Sequence, residues 1–193
     1  MDKTEMERIA KAATQDEGKL RSALAVIDAR VKIGNVLGRG FLERLKSQIS
    51  SRSKGEWKPE IEIEGGDQST DNRQYISLVL KGRHWGKMSV TFHIDGKMSE
   101  WSEENGFGLR GEGKQNASDP PPFDEMKMRK LELNHLSNGR MTEVWRCYKP
   151  WRPREERMED TALLLLNPPD VVLNELADKL VHLAKDLDGV LRG

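Results

Sequence analysis

The chain has 193 residues, 36% of them hydrophobic and 33% charged, with a mean hydropathy of -0.73; that length suits one ordinary domain with a helical appendage and excludes a multidomain machine. Lys+Arg and Asp+Glu both number 32, so no global attraction to nucleic acid or to an anionic membrane is expected. The longest apolar run, Ala162 to Leu166, is far short of a bilayer span, the first residues carry no apolar signal region, and the lone Cys147 excludes a disulfide framework, so a cytoplasmic protein with no membrane partner is expected.

Charge is segregated along the sequence. Residues 1 to 54 carry twelve basic against seven acidic side chains, residues 55 to 104 six against ten, and residues 159 to 193 three against seven. Residues 2 to 12 read as a short helix, and Thr14 with Glu17, or Asp16 itself, can cap the next one. Leu20, Leu24, Ile27 and Val31 fall on one helical stripe. Gly34, Gly38 and Gly40 then each cost about 1 kcal/mol against Ala in a helix interior. A helix near 16 to 33, a turn or kink, and a second helix near 40 to 50 carrying Phe41, Leu42, Leu45 and Ile49 are expected.

After a Ser/Lys/Gly linker the period changes to two. Ile61 and Ile63 alternate with Glu60, Glu62 and Glu64, which suits a strand at a sheet edge. Ile76, Leu78 and Leu80, and then Met88, Val90, Phe92 and Ile94, mark two central strands. Asp95-Gly96 fits a two-residue turn leading into a further strand from Lys97 to about Glu103. Residues 105 to 122, rich in Gly and Pro, read as a long loop without a packed element. Met126 to Leu133 reads as an irregular strand or a helix, Asn138-Gly139 as a turn, and Thr142 to Tyr148 as a strand. The clearest element comes last: Asp170 follows two prolines as a cap, and Leu173, Leu176, Leu180, Leu183, Leu187 and Val190 recur at spacings of three and four, with Gly189 fraying the end. The expected fold is α+β: an antiparallel meander with two N-terminal helices and a long amphipathic C-terminal helix. Residues 1–54 form the helical segment and 55–193 the α+β domain, joined in one unit.

Few residues combine into recognisable chemistry. Asp71 followed by Asp95-Gly96-Lys97 has the form of a metal-dependent nuclease set, in which carboxylates hold a hard cation and a lysine orients the attacking water. Turn geometry already accounts for Asp95-Gly96, and it bends Lys97 away from the strand on which such a set must lie. His84, His93, His135 and His182 lack ligand spacing, so neither a structural zinc site nor another metal or cofactor is expected. Cys147 reads as a small packing residue. The most suggestive surface interleaves Trp145, Tyr148 and Trp151 with Arg146, Lys149, Arg152, Arg154 and Arg157, and Arg83, His84, Trp85 and Lys87 form a smaller echo. Aromatic and cationic groups in alternation can stack on bases or aromatic side chains while contacting phosphates or carboxylates. The alternative reading for each tryptophan is the sheet–helix junction, with arginines covering its edges.

The order of Tyr75-Ile76-Ser77-Leu78, Trp85 to Phe92, Gly106-Phe107-Gly108-Leu109-Arg110-Gly111, Val144 to Tyr148 and the apolar Ala162 to Leu166 resembles the C-terminal region of PD-(D/E)XK nuclease-like proteins of bacteria and phages. The catalytic residues of that family lie upstream of the resembling region, so the resemblance implies its non-catalytic portion and carries no catalytic residue over. The leading expectation is therefore a non-enzymatic protein that binds a macromolecular partner, such as an inhibitor acting by steric occlusion in defence or counter-defence. A homodimer closed by the amphipathic helices is the accompanying expectation. The alternatives are a nuclease using Asp71, Asp95 and Lys97, or a nucleic-acid-binding module without catalysis.

Overall fold

The computed structural model describes residues 3–64, 75–95, 105–111, 125–136, 145–151 and 158–192. Their elements are α1 (Lys3–Ala13), α2 (Glu17–Ser53), β1 (Lys58–Glu64), β2 (Tyr75–Lys81), β3 (Met88–Asp95), β4 (Gly106–Gly111), α3 (Glu125–His135), β5 (Trp145–Pro150), α4 (Met158–Leu166) and α5 (Asp170–Arg192). The strands form an antiparallel sheet in the order β1-β2-β3-β4-β5, which is the expected α+β meander with β1 at an edge.

Register divides the sheet into two faces, because residues opposite one another in a ladder point the same way. Ile76 pairs Ile94, Leu78 pairs Phe92, Phe92 pairs Phe107, and Leu109 pairs Cys147. These side chains form one core with Phe41, Leu42, Leu45 and Ile49 of α2, Met128 and Leu131 of α3, and the buried stripe of α5 from Leu173 to Leu187. The opposite face is polar and still buried at Ser77, Ser89 and Thr91, where the hydroxyls of Ser89 and Thr91 lie 3.1 Å apart.

Two expectations change. The first is the helix break at Gly34, Gly38 and Gly40: α2 is one continuous helix of 37 residues. Asp16 is its cap, its carboxylate accepting the Lys19 backbone N–H at 2.8 Å, and the helix closes with Lys54 and Gly55 at positive φ. Packing outweighs propensity at Gly38, where a Cβ would sit 3.4 Å from Ile94 Cγ2 and 3.6 Å from Ile76 Cδ1. The missing side chain lets the helix axis approach the ends of β2 and β3.

The second is the loop reading of residues 105 to 111. Gly106 to Gly111 is β4, an interior strand. Phe107 and Leu109 supply its core face, and glycine occupies the alternating positions because nothing larger fits there. A Cβ on Gly108 would lie 2.0 Å from the Cys147 carbonyl oxygen, and one on Gly106 would lie 2.5 Å from the Tyr148 ring. Met126 to Leu133 is resolved as helix α3, and the strand expected from Thr142 to Tyr148 appears as β5 from Trp145, with residues 142 to 144 outside the described residues. At the C-terminus α5 continues through Gly189 to Arg192. The strand expected from Lys97, the rest of the Gly/Pro-rich segment and the Asn138-Gly139 turn lie outside the described residues.

Candidate functional site

Two aromatic members of the expected surface, Tyr148 and Trp151, are buried. Trp151 is 9% exposed and packs its ring against Phe41 and Phe92, with centroids 5.5 and 5.2 Å away, while its backbone N–H donates to the Asn105 carbonyl at 2.7 Å. Tyr148 is buried on the polar face of the sheet, and Lys149, opposite Phe107, is half-buried. Arg146 belongs to β5, but its side chain, like Trp145's and like Arg152, Arg154 and Arg157, lies outside the described residues. Asp95 is the last residue of β3, paired with Tyr75. Asp71 and Lys97 lie outside the described residues, as does the Asp95 side chain. Among the described residues no group of three His, Cys, Asp or Glu side chains is placed to hold a metal ion.

The smaller echo keeps its cations on the surface. Between β2 and β3 the chain reads Lys81-Gly82-Arg83-His84-Trp85-Gly86-Lys87, and Trp85 turns inward to 2% exposure. Its indole N–H donates to Asp188 Oδ1 of α5 at 3.1 Å, and its ring lies 6.3 Å from Trp57. Gly82 is required because a Cβ there would fall 2.3 Å from the indole nitrogen, and Gly86 takes φ 57°. Backbone bonds from Trp85 N to Gly82 O and from Met88 N to Trp85 O close the turn. Arg83, His84 and Lys87 are exposed and form no ion pair with the described residues.

On the polar face His93 stands between two tyrosines. It stacks on Tyr148 at 5.3 Å with an interplanar angle of 18°, and meets the Tyr75 ring at 5.5 Å and 60°. The ladder spans four strands because Gly106 of β4 leaves room for the Tyr148 ring to cross it. Cross-strand aromatic pairs of this kind are worth about 0.2–1 kcal/mol each. Sequence reasoning missed this ladder; the alternation of Gly106 and Gly108 with Phe107 and Leu109 was its signal.

The third feature is the first half of α2 with α1. None of the described side chains from Thr4 to Ile33 is buried. Leu24 is 50% exposed, Val26 62% and Val36 72%, and Met6, Ile9, Leu20 and Ile33 are exposed as well. The cause is length: a helix of 37 residues is about 55 Å long, whereas strands of seven or eight residues extend about 25 Å. Gly38 lies over Ile76 and Ile94, next to the ends of β2 and β3, so the residues before it overhang the sheet. Sequence reasoning recognised the stripe but assigned it to a shorter helix.

No family model, curated protein or solved structure matches this chain, and nothing bears on the resemblance to nuclease-like proteins. The geometry of the overhanging helix, the anchored basic turn and the polar sheet face carries the functional reading.

Proposed function

We propose that the chain is a non-enzymatic interaction protein whose overhanging helical arm is its docking element, with a second copy of the same chain as its occupant. One observation carries the reading: apolar side chains along the arm stay exposed. Each of Met6, Ile9, Leu20, Leu24, Val26, Ile33 and Val36 retains between 40% and 72% exposure, and burial of the remainder contributes roughly 1 kcal/mol per side chain. An apolar helix in water is a surface awaiting a partner.

Size and charge favour a second copy. Together α1 and α2 up to Ile33 supply about the 20–30 residues a side that a standard interface uses. In a two-fold antiparallel pairing centred near Leu24, Asp16 and Glu17 at the start of one α2 come opposite Lys32 of the other, and the helix dipoles also oppose. Exposed Arg21 and Lys32 beside the arm's apolar side chains suit a wet-rimmed protein interface, and no described helix is long and apolar enough to cross a membrane.

Light scattering coupled to gel filtration tests the proposal on the full chain. The expected result is twice the 22.0 kDa chain mass and, for the double substitution Leu20→Glu, Leu24→Glu, the single-chain mass with unchanged circular dichroism. A wild-type protein that stays at the single-chain mass at the highest concentration tested rejects it.

A further inference from the structure

The basic turn between β2 and β3 lies at the end of the sheet away from the arm. Lys81 pairs Lys58 at the start of β1, and Trp57, four residues past the end of α2, touches Trp85. This end therefore gathers Lys54, at the C-cap of α2, with Arg83, His84 and Lys87. All four are exposed, and none forms an ion pair with the described residues. The neighbouring Lys58 and Lys81 are already engaged by Glu60 at 3.1 Å and Glu62 at 3.0 Å, Arg192 is engaged by Asp188 at 2.7 Å, and Glu56 is the acid on the adjoining loop.

We infer that this end of the sheet is a contact surface for the phosphate backbone of a nucleic-acid duplex. Three features of the turn carry the inference. Its ionisable side chains are all cationic or imidazole, and Arg83 and Lys87 offer only hydrogen-bond donors and positive charge. It is held in place: the buried indole, the Asp188 bond and the close fit at Gly82 fix the backbone from which Arg83 and Lys87 project. Its one large apolar residue is turned inward, leaving glycines and charged groups outside. A protein partner is recognised through an apolar centre with a polar rim, and that centre is missing here. A single strand is recognised by stacking on exposed aromatic rings, and Trp85 is unavailable for it. Phosphates on a duplex need only positioned cations, and such contacts are independent of sequence.

The test is fluorescence anisotropy of the full chain with a labelled duplex of about 20 base pairs and arbitrary sequence, at about 50 and 200 mM salt. Three phosphate contacts, from Lys54, Arg83 and Lys87, give an affinity that falls roughly 40-fold over that range. The exposed double substitution Arg83→Glu, Lys87→Glu is expected to weaken binding at the lower salt by at least about tenfold and to leave the circular dichroism unchanged. The inference is overturned by absence of wild-type binding at the lower salt, by equal binding of the double variant, or by binding to phosphatidylserine vesicles or to poly-glutamate in preference to the duplex. The light-scattering mass of the double variant separates this question from the arm: it stays at the wild-type value whichever way the duplex experiment falls.

Discussion

The two halves of α2 share one backbone and one apolar stripe, yet they have opposite surroundings. From Phe41 to Ile49 the stripe is closed by the sheet and by α5; at Leu20 and Leu24 the same face stays 40% and 50% exposed. The contrast teaches that amphipathic spacing specifies which side of a helix seeks cover, while the length of the neighbouring sheet decides how much of it is covered. A helix twice as long as its platform leaves half of its stripe beyond the reach of the sheet.

The largest expected effect sharpens that contrast. Phe41 is fully buried, with its ring 6.1 Å from Phe92 and 5.5 Å from Trp151, so Phe41→Ala is expected to destabilise the fold by about 3–5 kcal/mol. Leu24→Ala removes a side chain of similar hydrophobicity from the overhanging half, and is expected to change the unfolding free energy of the single chain by no more than about 0.5 kcal/mol. Urea titration at a protein concentration low enough to hold both as monomers measures the difference. Comparable losses for the two would break the division of the helix into covered and uncovered halves.

Ion pairs give the same contrast at smaller scale. Arg52 bridges the covered half to α5: its Nε donates to Asp178 at 3.0 Å, its Nη2 to Asn174 at 2.6 Å, and its Nη1 to the Gln48 carbonyl at 2.9 Å. Arg21 bonds Glu17 within the overhanging half at 2.6 Å, with both side chains more than three-quarters exposed. Arg52→Ala is expected to cost about 1–2 kcal/mol, because it leaves partly buried acceptors unpaired. Arg21→Ala is expected to cost about 0.3–0.5 kcal/mol at most. The same urea titration reads both, and added salt erases only the second.

How much of this was legible in sequence depended on whether a local period or a distant neighbour set the structure. The period-two runs of β1, β2 and β3 and the three-four spacing of α5 are local, and their elements follow the pattern, as does the choice of Asp16 as a cap. The glycines were ambiguous because glycine carries no pattern of its own. At Gly38 it marks a close approach to Ile76 and Ile94, at Gly106 the passage of the Tyr148 ring, and at Gly82 the seat of Trp85. Each reason lies on another element, distant in sequence at Gly38 and Gly106, so propensity alone turned a helix into two and a strand into a loop. The basic-aromatic clusters were equally ambiguous: alternation on the page does not say which member turns inward, and here Trp85 and Trp151 do.

A pair of glycine substitutions tests that account of the glycines directly. In α2 both Gly38 and Gly40 lower intrinsic helix propensity by about 1 kcal/mol relative to Ala, but only Gly38 faces the sheet. A Cβ on Gly40 meets nothing within 4 Å, so Gly40→Ala is expected to stabilise the fold by about 0.5–1 kcal/mol. At Gly38 the added methyl arrives 3.4 Å from Ile94 Cγ2, at the border of ordinary contact, so most of the propensity gain is offset by displacement in a filled layer. The expected order of urea midpoints is Gly40→Ala above wild type, with Gly38→Ala close to wild type. If both variants rise equally, close approach does not explain Gly38; if Gly40→Ala falls, the helix is not continuous through the glycines, and the arm does not inherit the stripe that the core defines.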